Sequence, residues 1–258
     1  MVPLWNHPAL AFGSGTPPNL GGELGPPLKN KEQIVNGKIA VIGGTGDLGF
    51  GLALRWAQAG VEVLIGSRDE KKAQEAAQRL KETLKTDASV TGLENTQACS
   101  QASVVVLAIP FSGQAGIIKS LKGSFKDAIF VDTTVPLAAT VGGRATRLLG
   151  VPQGSAAQQA RELVPAGTPV LAAFHNLSAE TLQDLSQTPD CDILVCGDDP
   201  QAKEKLFALV KLIPGLRPID AGPLEMARIV ESITALLISM NQRYKVHHTG
   251  IRLTGLPL

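Results

Sequence analysis

The chain has 258 residues, of which 44% are hydrophobic, enough for one sizeable core or two small domains. Its 24 Lys and Arg residues nearly balance its 23 Asp and Glu residues, which gives a net charge of +1. This balance argues against a basic face that would follow a nucleic-acid backbone or an anionic membrane, so neither nucleic acid nor membrane is an expected partner. We therefore expect a small-molecule partner.

The three cysteines, Cys99, Cys191 and Cys196, have no metal-type spacing, and no metal site is predicted. On an extended strand Cys191 and Cys196 would lie roughly 16 Å apart, which is beyond the reach of a disulfide. We therefore expect reduced thiols and a cytoplasmic location. No signal peptide is evident, and the apolar stretch 233–240 is far shorter than the roughly 20 residues that cross a bilayer.

The first segment, residues 1–37, contains six prolines and many glycines and has no sustained periodicity. Such a segment buries too little apolar surface to offset the entropy of ordering it. It is predicted to be a flexible leader before an ordered domain at 38–258.

The ordered part alternates short apolar runs with helical patterns. Predicted strands cover 38–43, 61–65, 88–91, 103–109, 128–131, 169–174 and 192–195. Predicted helices cover 50–59, 70–85, 112–121, 155–163, 178–186, 200–212 and about 223–245, whereas residues 137–154 have no readable pattern. This alternation predicts an α/β fold with a doubly wound parallel sheet and a small C-terminal helical part.

A glycine-rich turn follows the first predicted strand and opens the first predicted helix. Its residues are Gly44, Thr45, Gly46, Asp47, Leu48 and Gly49, which have the spacing G-x-G-x-x-G. In a dinucleotide-binding turn Gly44 makes the tight bend, Gly46 lets the backbone approach the pyrophosphate, and Gly49 lets the helix pack against the sheet. The helix N-terminus then offers N–H groups and a partial positive charge to the phosphates.

The end of the second predicted strand indicates which dinucleotide binds. An NAD site has Asp or Glu there for the ribose 2′-hydroxyl, but this chain has Ser67 and Arg68. A guanidinium attracts the 2′-phosphate that a carboxylate would repel. Lys72, one helical turn further on, adds a cation, and Thr45 is within reach. The predicted cofactor is NADP(H).

No general acid is evident for alcohol or ketone chemistry. Tyr244 is the single tyrosine, so the Tyr-x-x-x-Lys pair of short-chain dehydrogenases is absent, and no Ser/His/Asp constellation stands out. His175 follows the predicted strand 169–174 at the carboxyl edge of the sheet, where it is either a pocket residue or a structural histidine. No catalytic residue is predicted.

Several segments together resemble one family, the NADPH-dependent reductases of the deazaflavin coenzyme F-420 (F420). The opening signature runs from Ile39 to Ala53 and continues at 65–68. Distal blocks at 195–199 and 215–224 and the end at 248–255 also resemble this family. The resemblance extends over nearly all of 38–258.

The resemblance implies a Rossmann domain, usually in a homodimer, that passes a hydride directly between NADP(H) and F420. The family pattern places Thr45, Ser67, Arg68 and Lys72 at the 2′-phosphate, Ile109, Pro110 and Phe111 over the dinucleotide, and His175, Leu177 and Ala179 beside the nicotinamide. The chain departs from the family at Asn176 and Ser178, where Thr and Pro are common. These departures concern the deazaflavin pocket rather than the NADP site.

Two other functions remain open from the sequence alone. The same NADPH site could serve reduction of another acceptor, such as a flavin or a ferric chelate. The chain could also be a non-catalytic NADP(H)-binding module. An imino-acid reductase is disfavoured because the C-terminal helical part is too short for that class's dimerisation domain.

Overall fold

A computed structural model of the chain describes residues 37–256, so the predicted flexible leader, Gly37 apart, lies outside the described residues. The described part is built on an eight-stranded sheet with the order β3-β2-β1-β4-β5-β6-β7-β8. Its strands are β1 Lys38–Ile42, β2 Val63–Ser67, β3 Val90–Glu94, β4 Ala102–Leu107, β5 Ile129–Asp132, β6 Val170–Ala172, β7 Cys191–Gly197 and β8 Leu216–Asp220. The predicted α/β class is confirmed.

Helices cover both faces of this sheet. They are α1 Asp47–Gln58, α2 Glu70–Leu84, α3 Asn95–Gln101, α4 Phe111–Leu121, α5 Ala156–Leu163, α6 Ala179–Gln183, α7 Pro200–Lys211 and α8 Ala227–Tyr244. Two short 3₁₀ helices, Ala138–Val141 and Leu224–Met226, complete the described elements. The buried apolar residues form two clusters, one on each side of the sheet, as expected for a doubly wound fold.

The sheet departs from the predicted all-parallel arrangement at one pair of strands. Six neighbouring pairs are parallel, but β6 and β7 run antiparallel, with Leu171 opposite Gly197. The connection between these strands contains only the five-residue helix α6. Five helical residues advance the chain by roughly 7 Å, too little for a crossover helix that returns the chain to the opposite end of the sheet.

One helix, one strand and the 3₁₀ helix Ala138–Val141 were not predicted. Helix α3 has seven mostly polar residues, and its composition gives no apolar stripe. Strand β8 contains Pro218 and lies at the edge of the sheet, where proline is tolerated. The unreadable stretch 137–154 forms a closed loop, joined at its base by an antiparallel bridge between Leu137 and Leu148.

The final helix, predicted at about 223–245, is present but only partly buried. Its inner face includes Ala227, Val230 and Leu237, whereas Tyr244, its last residue, is 66% exposed. All three cysteines are buried and free, as predicted. Within residues 37–256 no helix has both the length and the apolar character needed to cross a membrane.

Candidate active site

The glycine-rich turn connects β1 to α1 at the carboxyl edge of the sheet. Gly43, which the motif analysis gave no role, has φ +85°, and a side chain there would meet the carbonyl oxygen of Ala108 at 2.4 Å. A Cβ atom on Gly49 would lie 2.5 Å from the Gly43 carbonyl oxygen. The close packing predicted for Gly49 is therefore present, and Gly43 adds a left-handed bend that favours glycine.

The N-terminus of α1 is open to an anion. Gly46 is the N-cap and has no side chain that could accept a hydrogen bond from the first turn, which begins at Asp47. The Gly46 N–H itself donates to the Gly43 carbonyl at 3.0 Å, and this bond fixes the turn. The first N–H groups of a helix have no intrahelical acceptor, so they attract a phosphate.

A cleft of about 360 Å³ lies beside this turn, and we name it the first cleft. It is lined by Gly43, Thr45, Ser67, Arg68, Asn95, Ile109, Pro110, Ser112, Gly113 and Ile117. The structure thus brings five of the predicted site residues together, from the glycine turn, the end of β2 and the turn before α4. The predicted residue Lys72 is exposed in the first turn of α2 and is not among the lining residues.

The charge of the first cleft favours a phosphate ester. Arg68 is exposed, and Ser67 directly precedes it at the end of β2. None of the described residues that line the cleft is acidic. Asp69, the nearest carboxylate in sequence, accepts hydrogen bonds from the backbone N–H groups of Lys71 and Lys72 as the N-cap of α2. The arrangement leaves a guanidinium and a hydroxyl where an NAD site has an acid.

Asn95 is a lining residue that sequence analysis missed. It is 3% exposed, follows β3 directly and begins α3, and its Oδ1 has no hydrogen-bond partner among the described residues. A buried amide oxygen without a partner costs free energy unless a ligand or water supplies a donor. Asn95 could have been predicted because it directly follows a strand at the carboxyl edge of the sheet. The third strand was predicted to end at residue 91, whereas β3 ends at Glu94, so Asn95 was not recognised.

A second cleft of about 300 Å³ adjoins the first, and both are lined by Ile109 and Pro110. We name it the second cleft; its other lining residues are Leu48, Phe111, Thr133, Val135, Leu137, Ala139, Thr140, Phe174, His175, Leu177 and Thr234. All but two of the remaining predicted residues therefore lie in the glycine turn or along this cleft. Ala179 is half-buried at the start of α6 and lines neither cleft.

The segment at His175 has an unusual backbone and an unusual environment. Phe174 has φ +68°, which a bulky residue rarely adopts, and its ring packs edge-on against Trp56 with 5.8 Å between centroids. His175 is 5% exposed, and neither ring nitrogen has a hydrogen-bond partner among the described residues. Burial lowers the pKa of His175 to about 4, so its imidazole is neutral near pH 7. The Thr234 hydroxyl donates to the His175 carbonyl at 2.6 Å.

A buried arginine joins the two clefts. Arg55 of α1 donates from Nε to the Leu182 carbonyl at 2.8 Å. Its Nη2 lies 2.7–2.8 Å from the carbonyl oxygens of Thr181, Asp184 and Gln187, at the C-terminal end of α6. Because α1 begins at the glycine turn and α6 begins four residues after His175, this guanidinium fixes one cleft relative to the other.

The chemistry available in this arrangement is narrow. No cluster of three or more His, Cys, Asp or Glu side chains in residues 37–256 could hold a metal ion. The second cleft is mainly apolar and has one ionisable lining residue, His175. Such a site can hold two ring systems in contact for direct hydride transfer, a reaction in which positioning supplies most of the catalysis.

Comparison with known proteins places this geometry in a family. A family model described as "NADP oxidoreductase coenzyme F420-dependent" matches residues 38–136. The chain is 48% identical over 222 residues to the F420-dependent NADP reductase of Methanothermobacter thermautotrophicus, covering 85% of this chain and 96% of that protein. It is 46% identical over 224 residues to the Methanocaldococcus jannaschii protein of the same name, covering 86% and 100%.

A solved structure supports the fold independently. A solved structure from Arthrobacter sp. FB24, provisionally named an F420-dependent NADP reductase, superposes with a TM-score of 0.73 and 23% identity, covering 85% of this chain and 100% of that chain. At this identity the likeness shows the fold alone. The alignments with the two sequence relatives cover nearly the whole length of each relative, and close to half of the aligned residues are identical. The resemblance identified from the sequence is thereby confirmed, and the chain belongs to the F420-dependent NADP reductase family.

Proposed function

We propose that the chain is an oxidoreductase that transfers a hydride between NADP(H) bound in the first cleft and F420 bound in the second. The observation that carries this proposal is that the two clefts meet at Ile109 and Pro110. A dinucleotide whose phosphates lie at α1 can extend its nicotinamide along that junction. The second ring system then has a mainly apolar surface on which to stack.

Some residues of the chain bind the phosphates of NADP(H), and others position the nicotinamide and the acceptor ring. The N-terminus of α1 binds the pyrophosphate, and Ser67 and Arg68 bind the 2′-phosphate, with Thr45 and Lys72 at its margin. The nicotinamide supplies the hydride, so the protein needs no nucleophile. Ile109, Pro110 and Phe111 cover the junction, and His175 and Leu177 bound the acceptor side. Both rings are thus held while water is displaced from the apolar walls.

We also propose that the chain acts as a homodimer through α8. The outward face of this helix presents Ile229, Leu236, Met240 and Tyr244, spaced four or seven residues apart. Three of them, Ile229, Leu236 and Tyr244, are at least half exposed. An apolar stripe that repeats at helical spacing suits a symmetric contact with the same stripe on a second copy. Leu236→Glu should give a monomer by analytical ultracentrifugation, and a wild-type monomer would contradict the dimer.

A cytoplasmic location is part of the proposal. The thiols of Cys99, Cys191 and Cys196 are all free and buried, which suits a reducing compartment. Fractionation of cells that express the chain would test this expectation.

The test of the NADP site compares NADPH with NADH in calorimetric titrations of Arg68→Gln. One charge-assisted hydrogen bond contributes about 1.5–3 kcal/mol, so NADPH should bind roughly 10- to 100-fold more weakly. NADH should bind nearly as before, because it has no 2′-phosphate. Arg161→Gln, which removes an equal charge from an ion pair on α5, is the matched control and should change neither affinity. Equal weakening of both cofactors by Arg68→Gln would refute the assignment.

The test of the acceptor follows the absorbance of F420 as NADPH is added to the wild-type chain. Loss of the deazaflavin band at a rate proportional to enzyme concentration is the expected result. Turnover with a flavin or a ferric chelate but not with F420 would show that the chain reduces another acceptor. Tight NADPH binding with no acceptor reduced would leave a non-catalytic binding module.

A further inference from the structure

Reduction of F420 by NADPH consumes a proton as well as a hydride. The C4–H bond of the nicotinamide breaks, and the hydride forms a C–H bond at C5 of the deazaflavin, which takes up two electrons. One proton must then reach N1 of the reduced ring to give the neutral product. The inference below rests on the proposed function, and it concerns the source of that proton.

The lining of the second cleft offers one candidate. Among its thirteen described lining residues, His175 is the only one with an ionisable side chain. The others are apolar apart from the hydroxyls of Thr133, Thr140 and Thr234, and all three hydroxyls donate within the protein. Thr133 donates to the Leu107 carbonyl, Thr140 to the Leu137 carbonyl and Thr234 to the His175 carbonyl. Proton transfer in this cleft therefore depends on His175.

A small side cavity, open to solvent on one side, also contacts His175. Its volume is about 80 Å³, and it is lined by His175, Asn176, Leu177, Ser178, Thr234, Leu237, Ile238, Asn241, His247 and Thr249. Since His175 lines both this side cavity and the second cleft, it is part of the wall between them. His247, another lining residue of the side cavity, is exposed to solvent.

The unpaired polar atoms around the side cavity indicate that it holds water. Both ring nitrogens of His175 and Oδ1 of Asn176 are buried and have no hydrogen-bond partner among the described residues. Asn176 cannot turn to satisfy Oδ1, because its Nδ2 already donates to the Asp192 carbonyl at 2.8 Å. One water occupies about 30 Å³, so two or three would fit and would supply the missing partners.

We propose that His175 and the water in the side cavity form the route by which a proton reaches the acceptor in the second cleft. The imidazole gives the proton on one ring nitrogen to N1 of the reduced ring. Its other nitrogen receives a proton from cavity water, and that water is restored from solvent past His247. The charge that arrives with the hydride is thereby neutralised, and His175 ends the cycle neutral. In the opposite direction the same groups carry the proton out.

The backbone around His175 is constrained in a way that suits this role. The left-handed conformation of Phe174 is maintained by its buried contact with Trp56, and the His175 carbonyl is held by Thr234. These contacts fix the main chain and leave the imidazole without a competing partner. Backbone strain of this kind is maintained where the surrounding structure overdetermines it, which occurs often at functional sites.

The experiment compares His175→Ala, His175→Phe and Asn241→Leu with the wild-type chain under saturating NADPH and F420. General acid catalysis contributes about 10²–10⁴-fold, so kcat should fall at least 10²-fold in both His175 variants. Added imidazole should restore turnover to His175→Ala, which leaves space for it, and not to His175→Phe. Asn241→Leu places an apolar side chain of similar size in the cavity lining, so it should lower kcat and raise the solvent deuterium isotope effect. NADPH affinity, measured by titration, should stay within about twofold of wild type in all three, because none touches the first cleft.

His248→Phe is the matched control, because it makes the same change at an exposed histidine that does not line the cavity. It should leave kcat and the isotope effect unchanged. If the His175 variants raise only the KM for F420, with no imidazole rescue and no change in isotope effect, His175 is a binding residue and the proton route is wrong. If one His175 variant fails to fold, the test of the proton route depends on Asn241→Leu. A solvent deuterium isotope effect equal to that of the wild type in Asn241→Leu would overturn the route. Absence of F420 reduction by the wild-type chain would refute the proposed function instead.

Discussion

Replacing Arg55 with methionine should loosen the connection between the two clefts. Methionine matches much of the volume of the arginine side chain but donates no hydrogen bond. The change removes the bond from Nε to Leu182 and the contacts from Nη2 to the carbonyls of Thr181, Asp184 and Gln187. Since Nη2 has two hydrogens for three acceptors, at least one of these contacts is shared.

The expected loss of stability is smaller than the number of bonds suggests. Hydrogen bonds from a charged group contribute about 1.5–3 kcal/mol each, which would give well over 4 kcal/mol in total. Burial lowers the pKa of Arg55, which shows that its charge is costly to desolvate. In the variant, water can also reach the carbonyl of Gln187, which lies in an exposed loop. We therefore expect a net loss of about 3 kcal/mol, or a decrease in Tm of roughly 6–12 °C for a domain of this size.

Thermal unfolding of Arg55→Met would be measured beside Arg161→Met. The control removes an ion pair with Asp198 in which both side chains are 52% exposed, so it should cost less than about 1 kcal/mol. Arg55→Met should also reduce kcat more than NADPH affinity, because α6 moves relative to the nicotinamide while the glycine turn stays in place. Equal Tm values for the two variants, or a loss confined to NADPH binding, would refute the role given to Arg55.

Three further outcomes are expected. Gly49→Ala should weaken NADPH binding about tenfold, because its Cβ would lie 2.5 Å from the Gly43 carbonyl, whereas Gly116→Ala, which has no atom within 4 Å of a Cβ, should leave the Kd unchanged. Burial raises the pKa of Asp132 to about 7, so between pH 4 and pH 7 the folded state binds a proton that the unfolded chain has lost. The free energy of unfolding should therefore fall from pH 4 to pH 7. Asp132→Asn should reduce this dependence of Tm on pH in thermal melts across the same range. Two arginine side chains and a backbone N–H group lower the pKa of the buried Asp192 to about 2, so stability should be lost as the pH falls from 4 through 2. Asp192→Asn should lower the free energy of unfolding by about 2 kcal/mol, measured by urea unfolding at pH 7. A pH-independent Tm in the wild-type chain, or an Asp192→Asn midpoint equal to wild type, would contradict these assignments.

Much of the fold was predictable because its signals are local. A parallel strand buried on both faces is a short apolar run, and the run at 103–109 predicted β4 to within two residues at each end. The glycine turn and Arg68 were likewise found within thirty residues of one another, because the dinucleotide site of this fold is built from one strand-helix-strand unit. Thr45, Ser67 and Arg68 of the first cleft could be predicted in this way. Ile109 and Pro110 followed only from the family resemblance, and the remaining lining residues, which are Gly43, Asn95 and three residues of α4, were not predicted.

The antiparallel pairing of β6 and β7 could not be read from local patterns. An apolar strand has the same sequence pattern whichever direction its neighbour runs, so direction depends on the connection. The sequence predicted a nine-residue helix at 178–186 there, but the helix ends at Gln183. Arg55, 126 residues earlier in the chain, binds the carbonyls that continuation of the helix would have used. A long-range contact thus ends the element.

The second cleft shows why the acceptor was harder to predict than the cofactor. Its lining comes from five separate stretches between Leu48 and Thr234, and no two of the stretches form a spacing motif. His175 acquires its position through the left-handed backbone of Phe174, and that backbone depends on Trp56, which is 118 residues away. Charge selects NADP(H) through a few neighbouring residues, whereas shape selects the acceptor through contacts that exist only after folding. Substitutions that leave every charged group intact, such as Trp56→Leu, should therefore alter turnover of the acceptor before they alter NADPH affinity.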